Sequence, residues 1–140
     1  MSPSTKKYKK EYAFSLLRIA KGDLASAKVL ARSKEGRAEN SIYLAQQSIE
    51  KALKAVLCFK TQQILHTHDV EVLVQILPVD EMPPEAHRLG ALTQYATIRR
   101  YEEGYEELFP SDLDLVMDLG DRILKWANDI INKSMSSKHD

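Results

Sequence analysis

The side chains able to do chemistry fall in three short stretches of this 140-residue chain. In the first, Tyr43, Gln47, Glu50, Lys51 and Lys54 recur at three- and four-residue spacings, which places them along one side of a helix. Lysines and amides aligned in this way can hold phosphate groups where they line a cleft or a subunit interface; otherwise the same stripe is a solvated face. Glu50 precedes Lys54 by four residues, the favourable order for an intrahelical ion pair. The second stretch, His66-Thr67-His68-Asp69, has metal-ligand residue types, but a functional site needs at least three well-placed donors, so no metal is assigned. His68 is expected to be a hydrogen-bonding residue at a helix start. The third stretch, Arg99-Arg100-Tyr101, offers two cations for phosphate and an aromatic ring. With Tyr95 and Tyr105, Tyr101 can stack on a base or pack against the long helices or across a dimer.

These residues need helices to position them, and the apolar pattern supplies them. Ala13, Leu17, Ala20, Leu24, Ala27 and Ala31 repeat in steps of four and three, with Gly36 as the expected stop. A second helix is predicted from about Ala38 to Lys60, with Ile42, Ala45, Ile49, Ala52, Leu53, Val56 and Leu57 inward. Thr67 is expected to cap a short third helix carrying Val70, Leu73, Val74 and Leu77, with Asp69 and Glu71 in its first turn and Pro78 at its end. A fourth runs from Pro83-Pro84 through Leu89, Leu92, Tyr95 and Ala96, and a loop is expected from Tyr101 to Pro110. Ser111, supported by Asp114, is expected to cap a last helix with Leu113, Met117, Leu124, Ala127 and Ile131 buried. No segment alternates with period two for long enough to predict a strand. The expected fold is all-α: an up-and-down bundle of about five helices, two long and antiparallel plus three shorter. It forms one domain over 1–140, with a core at about 8–131 between polar tails.

Composition excludes several classes. Lysine and arginine balance aspartate and glutamate to a net charge of zero, so no global field draws the chain to nucleic acid or membrane. The single cysteine, Cys58, rules out an intrachain disulfide and a multi-thiolate zinc site, and its apolar neighbours predict burial. No signal peptide or membrane span is expected, and the default location is cytoplasmic. Lys6, Lys7, Lys9 and Lys10 read as a solvated start to the first helix, with a nucleic-acid contact as the other reading. His87 is expected at the surface, and Trp126 at the core edge or an interface.

Three motifs in register carry a resemblance. Ala45-Gln46-Gln47-Ser48-Ile49-Glu50-Lys51-Ala52-Leu53-Lys54-Ala55 resembles the signature helix of HEPN domains. His66-Thr67-His68-Asp69-Val70 is similar to the family's start of helix three, and Leu92 to Tyr101 resembles its fourth helix, ending in an arginine-tyrosine pair. The resemblance implies an up-and-down helical bundle that dimerises. It also implies a minimal nucleotidyltransferase as partner, in a toxin–antitoxin pair or a two-part enzyme. Ribonucleases of the family carry an arginine followed, after four to six residues, by a histidine; two protomers join these in a composite cleft. The arginine stabilises phosphate and the histidine assists proton transfer.

Here the decisive position differs. At the permitted spacings Arg99 is followed by Gly104, Tyr105 and Glu106, and Arg100 by Tyr105, Glu106 and Glu107. A tyrosine, with an ordinary pKa of about 10, is a poor general base near neutrality. From Tyr101 to Asp121 the chain holds eight carboxylates and no lysine or arginine, which repels a polyanion. The expectation is therefore a non-catalytic homodimeric binding subunit without a cofactor. It engages a nucleotide or RNA phosphate through Arg99, Arg100, Tyr101, Lys51, Lys54 and Gln47, while the nucleotidyltransferase supplies the chemistry. The other readings are a ribonuclease toxin with a degenerate motif and a purely structural interaction module.

Overall fold

Small and branched apolar residues returning every three or four positions build two long helices, α1 (Tyr12–Arg32) and α2 (Ala38–Thr61). The computed structural model describes residues 5–89 and 110–137. α1 and α2 pack antiparallel: Phe14 near the start of α1 meets Phe59 near the end of α2 edge-on, with ring centroids 6.4 Å apart. Alanines on both faces allow close approach, and the buried Ser48 hydroxyl donates across the interface to the Ala20 carbonyl at 2.6 Å. All seven apolar positions predicted inward on α2 are buried. So are the five from Ala13 to Ala27 on α1, while Ala31 is half-buried.

α1 stops four residues before Gly36. The Ser33 hydroxyl accepts the backbone N–H groups of Glu35 and Gly36, at 3.2 and 3.3 Å, and so turns the chain out of the helix. α2 ends with Gln62 in the left-handed conformation (φ 56°), its N–H bonded to the Cys58 carbonyl. That reversal launches a strand that sequence periodicity did not predict. β1 (Thr5–Lys7) pairs antiparallel with β2 (Gln63–Leu65), Lys6 opposite Ile64. Each strand has three residues, too few for alternation to register. The lysine run therefore begins on a strand and turns into α1 at Tyr12, instead of starting the helix itself.

α3 (Val70–Gln75) presents Val70, Leu73 and Val74 to α2, and a 3₁₀ turn, Val79–Glu81, follows Pro78. Residues 86–89 are helical (α4), with Leu89 fully buried. α5 (Pro110–Ser137) runs antiparallel to α1, as the Lys28–Asp121 and Lys21–Asn128 contacts show. Its buried face comprises Val116, Met117, Leu119, Ile123, Ala127 and Ile131; the expected Leu113 and Leu124 are only half-buried. Gly120 explains the rotation. A Cβ there would lie 2.7 Å from Leu24 Cδ1, so the glycine lets α5 close on α1 along this line. The fold is all-α apart from the small ribbon, and no helix among the described residues is long and apolar enough to cross a membrane.

Candidate functional site

The polar stripe of α2 resolves into two neighbouring ion-pair groups. Glu50 projects from the middle of the helix and is only 2% exposed. Lys54, one turn later, brings Nζ to 3.3 Å from its carboxylate. Across from it, His68 Nδ1 lies 3.2 Å from both carboxylate oxygens. A carboxylate buried this deeply requires partners of this kind, because an isolated charge would be far too costly. The imidazole itself is 85% exposed, so its other nitrogen faces solvent while Glu50 fixes the ring. Beside this cluster, Lys51 reaches back to Asp23 of α1 at 2.6 Å. Gln47 sits one turn earlier, half-buried.

The approach to α3 positions His68. After β2 the Thr67 hydroxyl accepts the Asp69 N–H at 3.1 Å, which fixes the bend beneath the imidazole. Asp69, not Thr67, is the N-cap: its backbone is extended and its carboxylate accepts from Glu71 and Val72 N–H. A threonine two residues earlier is too far from those donors, so the capping assigned to Thr67 passes to Asp69. Ser111 falls just inside the first turn of α5, which begins at Pro110; its side chain lies outside the described residues.

The lysines assigned to phosphate thus each hold a carboxylate already, Lys51 that of Asp23 and Lys54 that of Glu50. Arg99, Arg100 and Tyr101, together with Tyr95 and Tyr105, lie outside the described residues. Among the described residues no cluster of three histidine, cysteine or acidic side chains is arranged to hold a metal. Cys58 is buried, and burial pushes its thiol above the ordinary range; the Ala13 N–H partly offsets this and Glu11 adds to it. It is no activated nucleophile. His87 is exposed, and Trp126 packs at the core edge.

Sequence reasoning missed the burial of Glu50 and its pairing with His68, 18 residues away. Helical spacing reports neighbours within a helix and not what a following loop folds back to touch. It also missed the aromatic ribbon. Tyr8 and Tyr12 stack with centroids 4.9 Å apart, and the Tyr8 hydroxyl lies 3.4 Å from His66 Nε2.

Comparisons with known proteins agree with this architecture. The crystal structure of TT1696 from Thermus thermophilus superposes with a TM-score of 0.71 at 23% identity, covering 84% of this chain and 97% of that one. At that identity the likeness concerns the fold. No curated protein sequence matches the chain significantly. The HEPN domain profile matches residues 13–133, from the first core alanine of α1 into the last turns of α5, and the chain belongs to the HEPN domain family.

Proposed function

We propose that this protein is a non-catalytic HEPN-type binding subunit that dimerises, engages the phosphate of a nucleotide or nucleic acid, and works with a minimal nucleotidyltransferase in the cytoplasm. The carrying observation is the histidine missing from every permitted position after Arg99 and Arg100. An arginine pair without its proton-transfer partner retains a grip on phosphate and loses the acid–base step. Because Lys51 pairs with Asp23 and Lys54 with Glu50, the proposed phosphate-binding set is reduced to Arg99 and Arg100, and it keeps Tyr101 and Gln47 as its other candidate members. Dimerisation is supported by the outer side of α1, where Ile19 and Val29 are exposed and the space around Gly22 is open.

A second reading rests on the Glu50–His68 contact. A buried carboxylate that orients an exposed imidazole is a serviceable acid–base pair, and it would supply the histidine of a degenerate ribonuclease toxin. One set of experiments separates the readings. The binding-subunit reading expects purified protein to leave RNA intact and nucleotide to raise its melting temperature. Ligand at about 100 times Kd adds about 2.7 kcal/mol of stability. The Arg99→Ala, Arg100→Ala double variant loses that shift. RNA cleavage abolished by the double variant overturns the non-catalytic reading, and cleavage abolished also by His68→Ala selects the second. Intact RNA with no nucleotide shift leaves a structural interaction module.

A further inference from the structure

We infer that the N-terminal ribbon is a second, separate binding surface, for single-stranded nucleic acid. The first ten residues hold Lys6, Lys7, Lys9 and Lys10 and no acidic residue. Elsewhere among the described residues most cations meet a carboxylate in place: Lys28 with Asp121, Lys51 with Asp23, Lys54 with Glu50, Lys60 with Glu81 and Arg122 with Asp118. Those that do not, such as Arg18, Arg32 and Lys133, are scattered along the helices. The four ribbon lysines have no carboxylate partner among the described residues. Two of them lie against aromatic rings instead, Lys6 Nζ 5.7 Å from the Tyr8 centroid and Lys10 Nζ 4.3 Å from that of Phe59. In a chain of zero net charge, this is a local excess of positive charge and not a share of a basic surface.

The fold sets that excess apart from the acidic end. Asp114, Asp118 and Asp121 lie in the first half of α5, which packs beside the last turns of α1 where Lys28 meets Asp121. The ribbon sits at the other end of α1, a helix of 21 residues. At about 1.5 Å per residue the two poles are roughly 30 Å apart, beyond the ~8 Å screening length of physiological salt. A polyanion approaching the ribbon therefore meets little repulsion from those carboxylates. Exposed Glu11 is the carboxylate nearest in sequence.

Charge alone would suit any polyanion; the rings make the choice. Tyr8 and Tyr12 stack nearly parallel, at 13°, and Tyr12 remains 38% exposed, which leaves aromatic surface for an unpaired base. Next to them lies an open groove of about 320 Å³ lined by Lys7, Tyr8, Thr61, Gln62 and Gln63, with amides able to bond base edges. Lysines that track phosphates beside a ring that stacks a base form a single-strand binding surface. A duplex hides its base faces and would use only the lysines.

The test measures anisotropy of a fluorescent oligouridine of about 20 nucleotides against salt concentration. Wild type binds at low salt, and the Lys6→Gln, Lys7→Gln, Lys9→Gln, Lys10→Gln variant binds at least tenfold more weakly. Its log–log salt slope is shallower by about 2–3, at roughly 0.7 for each phosphate no longer engaged. A triple variant sparing Lys10, which packs on Phe59, shows the same direction, so a folding defect cannot stand in for the effect. Tyr12→Ala weakens single-strand binding several-fold with the slope unchanged. Equal binding by wild type and lysine variants overturns the proposal, as does the absence of wild-type binding at about 50 mM salt. Indifference to Tyr12→Ala with equal affinity for heparin overturns it in favour of a generic polyanion surface. The lysine variants retain the mononucleotide melting shift, whereas the Arg99→Ala, Arg100→Ala variant loses that shift and keeps Tyr12-dependent RNA binding, so the two sites succeed or fail independently.

Discussion

The middle of α2 and the N-terminal ribbon both carry lysines, and the fold treats them in opposite ways. Around Glu50 each lysine is matched within the protein: Lys54 shares one buried carboxylate with the His68 imidazole, and Lys51 joins α2 to Asp23 of α1. At the ribbon Lys6, Lys7, Lys9 and Lys10 have no such partner among the described residues. Paired charge near the core fixes how helices and loops sit against one another. Unpaired charge at the surface contributes little to stability and is free for a partner. Residue type alone therefore does not locate a phosphate-binding lysine; what matters is whether the fold has already used its charge.

The sharpest way to break this contrast is Glu50→Ala. It strips Lys54 and His68 of their shared acceptor and leaves a cavity in α2's packed side, so it should cost about 3 kcal/mol, read as a lowered urea midpoint. The four ribbon substitutions together should cost no more than about 1–1.5 kcal/mol, most of it from the Lys10 and Lys6 contacts with Phe59 and Tyr8. Comparable losses in the two regions would mean that the ribbon lysines are structural. Lys51→Ala is the intermediate case. Its partly exposed 2.6 Å pair with Asp23 should contribute about 0.5–1 kcal/mol, and the double variant with Asp23→Ala should cost less than the sum of the two.

The fold was largely legible because long amphipathic helices repeat their signal many times. All seven residues that spacing turns inward on α2 are buried, although the helix also buries others such as Ala55 and Phe59. Val70, Leu73, Val74 and Leu77 are buried too, but α3 ends at Gln75, before Leu77 and Pro78. Errors fell where one contact decides. Ser33 ended α1 before Gly36, Gly120 turned α5 toward α1, and Asp69 took the cap expected of Thr67. The candidate site was legible only in part. Glu50–Lys54 is local and follows from helical geometry, but the Glu50–His68 contact depends on the path of the chain after Gln62, which turns at a left-handed residue that is not glycine. The paired state of Lys51 likewise needs the register between α1 and α2, which neither helix encodes alone.

Cys58 lies where the two regions meet and provides the mildest test. Its thiol belongs to the buried face of α2, and its Sγ donates to the Lys9 carbonyl at 3.4 Å, tying the base of the ribbon to the core. Burial raises the thiol above its ordinary range, chiefly because the thiolate is poorly solvated there. In the folded state the proton is held more tightly than in the unfolded chain, so this contribution is fully present below the unfolded thiol's pKa of about 8.5 and is lost as pH rises through the folded value. Melting followed from pH 7 into the alkaline range should show a small decline in stability that Cys58→Ala lacks. Alkylation at pH 8 should be much slower in the native protein than in urea. Fast native alkylation would mean that the ribbon opens readily from the end of α2, and the boundary between a fixed core and an available surface would then have to be drawn at Cys58 and not at Lys10.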